Sequence, residues 1–134
     1  MILKYPLIIN FTFMNENLIN NINDLNHAQK EATFHKDGPL IIIAGAGSGK
    51  TRVLTYRIAY LMTQGIDAFS ILALTFTNKA AREMKHRISS LVGDDEAKNL
   101  WMGTFHSVFA KILRIEAEKL GFPKNFTIYD TQDS

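Results

Sequence analysis

Lys50 and Thr51 follow three glycines at alternate positions, Gly45, Gly47 and Gly49, in the stretch AGAGSGKT that opens at Ala44. A backbone that turns its N–H groups inward around an anion has no room for Cβ atoms on its concave side, and glycine meets that need. A lysine closing such a loop offers a point charge to terminal phosphates, and the hydroxyl after it can ligate Mg²⁺. The spacing fits the phosphate-loop pattern G-x-x-x-x-G-K-[ST], with Ala44 in place of the first glycine. A dinucleotide fingerprint starting at Gly45 would need glycine at position 50, where the chain has lysine. Ala44, Gly45, Ala46, Gly47, Ser48, Gly49, Lys50 and Thr51 are therefore read as a nucleoside triphosphate loop. The bland alternative is a glycine-rich turn that only feeds a helix.

Such a loop works only between a strand that delivers it and a helix whose N-terminal dipole faces the phosphate. PLIIIAG, ending at Gly45, reads as a short buried strand. KTRVLTYRIAYLMTQG, with apolar residues at 53, 54, 58, 61 and 62 and a stop at Gly65, reads as a helix. SILALTFT is a second strand and NKAAREMKHRISSLVG a second helix ended by Gly93. LWMGT is a third strand, with Trp101 in the core. SVFAKILRIEAEKLG is a third helix, stopped by Gly121 and Pro123, and FTIYD is a fourth strand. Asp94, Asp95 and Glu96 read as a solvated turn. Alternation of this kind predicts an α/β fold, a parallel sheet covered by helices through right-handed crossovers. Ligands of such sheets sit beyond the carboxyl ends of the strands. The glycine loop, TFTN and GTFHS all fall at that edge.

The 134 residues suffice for one domain with its own core. The absence of cysteine excludes a disulfide framework and any thiolate zinc site, and agrees with a cytoplasmic protein. His27, His35, His86 and His106 show no metal-ligand spacing, so no structural metal is expected. The apolar runs are too short to cross a bilayer, so no membrane partner is expected. MILKYPLIINFTF is broken by Pro6 and followed by no small-residue cleavage site, which argues for a tail and against a signal peptide. Residues 1–24, asparagine-rich and without clear period, are read as that tail, with 1–13 an extension and Met14 an alternative start. A net charge of +2 is too mild to announce a nucleic-acid partner. Its distribution says more: Lys79, Arg82, Lys85 and Arg87 face only Glu83 between Asn78 and Leu91, a solvated helix face or a phosphate contact.

LNHAQKEA, AGAGSGKTRVL, LTFTNKAAREM and GTFHS together resemble, in order and spacing, the Q motif and motifs I, Ia and Ib of the UvrD/Rep/PcrA-type superfamily 1 DNA helicases. The likeness runs from Leu25 to the end of the chain. It implies a RecA-like P-loop NTPase domain, incomplete here, occupying 25–134 as the N-terminal part of the first motor domain. The activity implied is an ATP-driven 3′ to 5′ helicase or translocase on single-stranded DNA, in repair or replication, with ATP and Mg²⁺ as cofactors. By resemblance, Gln29 reads the adenine edge and Arg52 packs against the base. Phe76, Thr77 and Asn78, and Thr104, Phe105 and His106, meet single-stranded DNA. The chemistry agrees, since an amide can both donate and accept, a guanidinium plane can stack, and an aromatic ring is a sequence-tolerant platform.

The resemblance also says what must come from elsewhere. Asp130, at the end of FTIYD, has the shape of a Mg²⁺-holding carboxylate, but the family's Asp-Glu-x-Gln-Asp motif lies beyond the stretch matched here and no glutamate follows Asp130. That motif, an arginine finger and a second motor domain are expected from the rest of the helicase chain, and the fragment is expected to turn over little by itself. Two other readings are a small nucleotide kinase with Asp130 in the metal role, and a non-enzymatic DNA-binding module that keeps the nucleotide fold.

Overall fold

The computed structural model describes residues 16–127. Its centre is α3 (Lys50–Thr63), a fourteen-residue helix with two working faces. One face carries Tyr56, Ala59 and Tyr60 against Leu18 and Ile22 of α1 (Glu16–Asn23), Leu25, and Leu91 of α4 (Asn78–Val92). From the other face Ile58 joins Ala68, Ala73, Met84, Ile88, Ala97 and Leu100. Phe34, at the end of α2 (His27–Phe34), stands edge-on to Tyr60 with ring centroids 5.0 Å apart. Leu18 and Ile88 are completely buried, each a contribution of about 1.5–3 kcal/mol from removing the side chain from water.

α4 follows its sequence pattern closely. Ala81, Met84, Ile88 and Leu91 recur every three or four residues and are buried, while Lys79, Arg82, Lys85 and Arg87 are exposed on the other faces. Thr77 caps its start by accepting a hydrogen bond from the Ala80 N–H, and Gly93, at φ +96°, ends it.

Two parallel strands, β1 (Leu72–Thr75) and β2 (Trp101–Thr104), pair in register Leu72 to Trp101 through Thr75 to Thr104. The crossover between them is made by α4 and a short helix, α5 (Asp94–Lys98). After β2 the chain turns at once into α6 (Phe105–Glu116), which runs into a 3-10 turn over Ala117–Leu120.

Several expectations need correction. PLIIIAG forms no ladder with any described residue, and two of its side chains lie in the open: Ile41 is 84% and Ile43 94% exposed. A run of branched apolar residues predicts an extended backbone, but a strand exists only where a neighbouring backbone takes up its N–H and C=O groups. The described sheet is therefore a parallel pair rather than four strands. Of FTIYD, Phe126 and Thr127 lie in irregular backbone, while the rest, Asp130 included, falls outside the described residues.

Asp94, Asp95 and Glu96 are exposed, as expected of solvated residues, but they form the first turn of a helix, α5. Their charges favour the positive helix end, and the completely buried Ala97 anchors the segment. Trp101 is half-buried rather than core, with the Lys111 ammonium over its ring at 5.0 Å. Residues 16–23, within the stretch read as tail, fold as α1, with Leu18 and Ile22 four residues apart on its buried side.

Candidate functional site

The glycine loop leads into α3 through two residues with left-handed backbone, Gly47 at φ +75° and Gly49 at φ +84°. Any side chain there would be strained, so both glycines have a conformational reason. Gly45 has none. Its φ is not positive, and a Cβ built on it would meet nothing within 4 Å. Among the described residues nothing packs where that Cβ would stand, so the space beside Gly45 is open to a close-approaching ligand.

Lys50 folds back over the loop. Its Nζ donates to the carbonyls of Ala44 at 2.7 Å and Gly45 at 2.6 Å. Among the described residues no carboxylate pairs with it. The loop closes on itself through the Ser48 hydroxyl, 2.7 Å from the Gly45 carbonyl, and Ala46 lies exposed at its crest. Gly49 has no side chain with which to cap α3, so the first-turn N–H groups of that helix find no side-chain acceptor at the cap. Thr51 stands exposed as the second helical residue. A lysine ammonium and an uncapped helix start therefore meet at this loop, a combination suited to an anion.

Gln29 stands against this loop. It is the N3 residue of a capping box in which Asn26 Oδ1 accepts the Gln29 N–H at 2.9 Å and Gln29 Oε1 accepts the Asn26 N–H at 3.0 Å. The remaining end, Nε2, donates to the Ser48 carbonyl at 3.1 Å. A Cβ on Gly49 would sit 3.1 Å from that nitrogen, a second reason for glycine there. The role of Asn26 escaped the sequence reading, although Asn-x-x-Gln ahead of a helix is a capping signal.

Arg52 is placed less freely than expected. Its Nε donates to the Tyr56 hydroxyl at 3.1 Å, its Nη2 to the Asn21 carbonyl at 3.4 Å, and the same Nη2 lies 3.9 Å from the Asp24 carboxylate. Asn21, Asp24 and Tyr56 had no place in the sequence reading because these contacts form only when α1 packs on α3.

The strand pair brings the two other segments together. Thr75 and Thr104 are direct partners at the end of the ladder, so TFTN and GTFHS leave the same sheet edge. Phe76 is 98% exposed there. Phe105 is 56% exposed and stacked on Phe109 with centroids 4.4 Å apart. Thr77 and Thr104 are the N-caps of α4 and α6, and Asn78 and His106 lie exposed in the first turns of those helices. Gly103 is another residue the sequence reading passed over. A Cβ on it would come within 2.7 Å of Ser107 Oγ and 3.0 Å of Val108 Cγ2, so α6 can fold back this tightly only over glycine. No ladder ties the phosphate loop to this edge among the described residues.

Among the described residues no group of three or more histidine, aspartate or glutamate side chains could hold a metal ion, and no helix is long and apolar enough to cross a membrane. A Mg²⁺ ion at the loop would find in the exposed Thr51 hydroxyl an oxygen ligand of the kind that ion takes.

Residues 25–134 match the family model described as the UvrD/REP helicase N-terminal domain. The chain is 55% identical over 113 residues to the ATP-dependent DNA helicase PcrA of Staphylococcus aureus, and 54% identical over 113 residues to the protein of that name from Staphylococcus epidermidis. These alignments cover 84% of this chain but 15% of each relative's length. The chain belongs to the UvrD/REP helicase N-terminal domain family.

Proposed function

We propose that this chain is the N-terminal part of the first motor domain of an ATP-dependent DNA helicase or translocase, moving 3′ to 5′ on single-stranded DNA in repair or replication. The domain is a RecA-like P-loop fold. Its exposed segment Pro39–Gly45 is the strand that a complete sheet takes up, and the Mg²⁺-binding carboxylates and the arginine finger come from the rest of the helicase chain. A cytoplasmic location goes with this reading. One observation carries it above all: the Lys50 ammonium rests on its own loop carbonyls with no carboxylate partner among the described residues, beside a Gly45 with open space where a Cβ would stand.

On binding ATP, Lys50 exchanges two carbonyl acceptors for phosphate oxygens, so its donors stay satisfied in both states. N–H groups of the loop and of the uncapped first turn of α3 take the remaining phosphate oxygens. Thr51 would hold Mg²⁺, which would supply positive charge against the phosphates. Gln29, with Oε1 and one hydrogen of Nε2 engaged inside the protein, keeps one N–H and one lone pair for a base edge. Adenine offers that edge both an acceptor nitrogen and an amino donor, which favours ATP over GTP. The Arg52 plane stacks on the same base.

At the other edge Phe76 and Phe105 offer rings to unpaired bases. Thr77, Asn78, Thr104 and His106 position the backbone, and the exposed cations of α4 add attraction for phosphates. In the full-length protein, ATP turnover should rise when single-stranded DNA is added and collapse in Lys50→Ala. Turnover indifferent to both the strand and the lysine would overturn the proposal.

A further inference from the structure

Arg52 and Tyr56 lie one helical turn apart on the same face of α3, and the tyrosine is only 9% exposed. Its hydroxyl accepts the Arg52 Nε–H at 3.1 Å and passes its own proton toward Asn21 Oδ1 at 2.8 Å. The Asn21 amide is in turn oriented, because its Nδ2 donates to both the carbonyl and the Oδ1 of Asn17 at 2.8 Å. Asn17 then donates to the Ser90 carbonyl of α4 at 3.3 Å. The donors therefore point one way along the whole chain, from the arginine beside the phosphate loop, through α1, to α4. The Asn21 main-chain carbonyl takes a second N–H of the same guanidinium at 3.4 Å.

An arginine near a helix start has four rotatable bonds and loses rotamer entropy when it must lie flat on a base. A side chain already held at Nε and Nη2, with its guanidinium carbon 5.4 Å from the Tyr56 ring centroid, has lost that freedom before the ligand arrives. We infer that Tyr56 and Asn21 are positioning residues for the Arg52 guanidinium, so that α1 takes part in base binding at the nucleotide site. The inference rests on the reading of Arg52 as a base-stacking group given above.

The test uses the full-length chain with Mg²⁺, a ribose-labelled fluorescent ATP as probe, and unlabelled ATP or inorganic tripolyphosphate as competitors. Tripolyphosphate engages the loop but has no base. Arg52→Ala and Tyr56→Phe should each weaken ATP by about three- to tenfold, the scale of one or two lost hydrogen bonds, and leave tripolyphosphate unchanged. The double variant should bind ATP no more weakly than Arg52→Ala alone, because the tyrosine acts through the arginine. If Arg52→Ala weakens ATP while Tyr56→Phe matches the parent, the positioning role is wrong and the reading of Arg52 stands. If Tyr56→Phe weakens ATP and tripolyphosphate alike, the hydroxyl merely supports the fold and the inference falls. If Arg52→Ala itself leaves ATP affinity intact, the stacking reading fails and the inference goes with it.

Discussion

Thr75 and Thr104 are paired residues at the end of a parallel ladder, and the residue after each is an exposed phenylalanine, Phe76 at 98% and Phe105 at 56%. Parallel pairing with no offset is what puts two aromatic rings, from segments nearly thirty residues apart in sequence, at one edge of the molecule. Phe76, almost wholly exposed, adds nothing to the core.

Phe76→Ala should therefore leave the thermal midpoint unchanged while weakening single-stranded DNA binding by about 1–3 kcal/mol, the contribution of one base–aromatic stack. Fluorescence anisotropy with a labelled oligonucleotide at fixed salt reads the second quantity. A variant that melts early and binds normally would place Phe76 in the core instead.

Glycines 45 and 103 separate ligand demands from packing demands. Gly103→Ala pushes a methyl to 2.7 Å from Ser107 Oγ and 3.0 Å from the buried Val108, and should cost about 1–3 kcal/mol by overpacking. Gly45→Ala meets no atom within 4 Å, so its stability should stay within about 0.5 kcal/mol of the parent while ATP affinity drops. Urea melts and nucleotide titrations of the two variants should show opposite patterns.

Leu18 tests whether α1 belongs to the domain. It is completely buried against α3 and α4, and Leu18→Ala should destabilise by about 2–5 kcal/mol, as core truncations of this size do. Residues of a detached tail would show no such loss.

Burial pushes the Tyr60 phenol above its ordinary value of 10.0. The folded chain holds this proton more tightly than the unfolded one. The stabilisation is therefore whole below pH 10.0 and lost as pH rises through the folded value. Urea midpoints measured from about pH 9 to about pH 11 should fall more steeply in the parent than in Tyr60→Phe.

The long amphipathic helices were legible in the sequence because their burial repeats at the helical period. Val53 and Ile58 in α3, and Met84, Ile88 and Leu91 in α4, announce themselves in this way. The glycine loop was legible because its backbone demand is written in residue types. Three other features were not. Ile41 and Ile43 signal an extended chain, but a strand's partners are a property of the whole sheet. Asparagines 17, 20, 21 and 23 hide the two buried residues of α1, Leu18 and Ile22, whose spacing alone is too sparse a pattern. The anchoring of Arg52 depends on Asn21, 31 residues earlier, and no local pattern carries a contact of that range.

The central claim is that Lys50 and the loop before it grip the phosphates of ATP. Calorimetric titration of the full-length chain with ATP and Mg²⁺, repeated for Lys50→Ala, tests this most directly. Loss of a charge-assisted contact predicts affinity lower by about ten- to a hundredfold in the variant, with the thermal midpoint unchanged. Equal affinity in the two proteins, or no ATP binding by the parent, would contradict it.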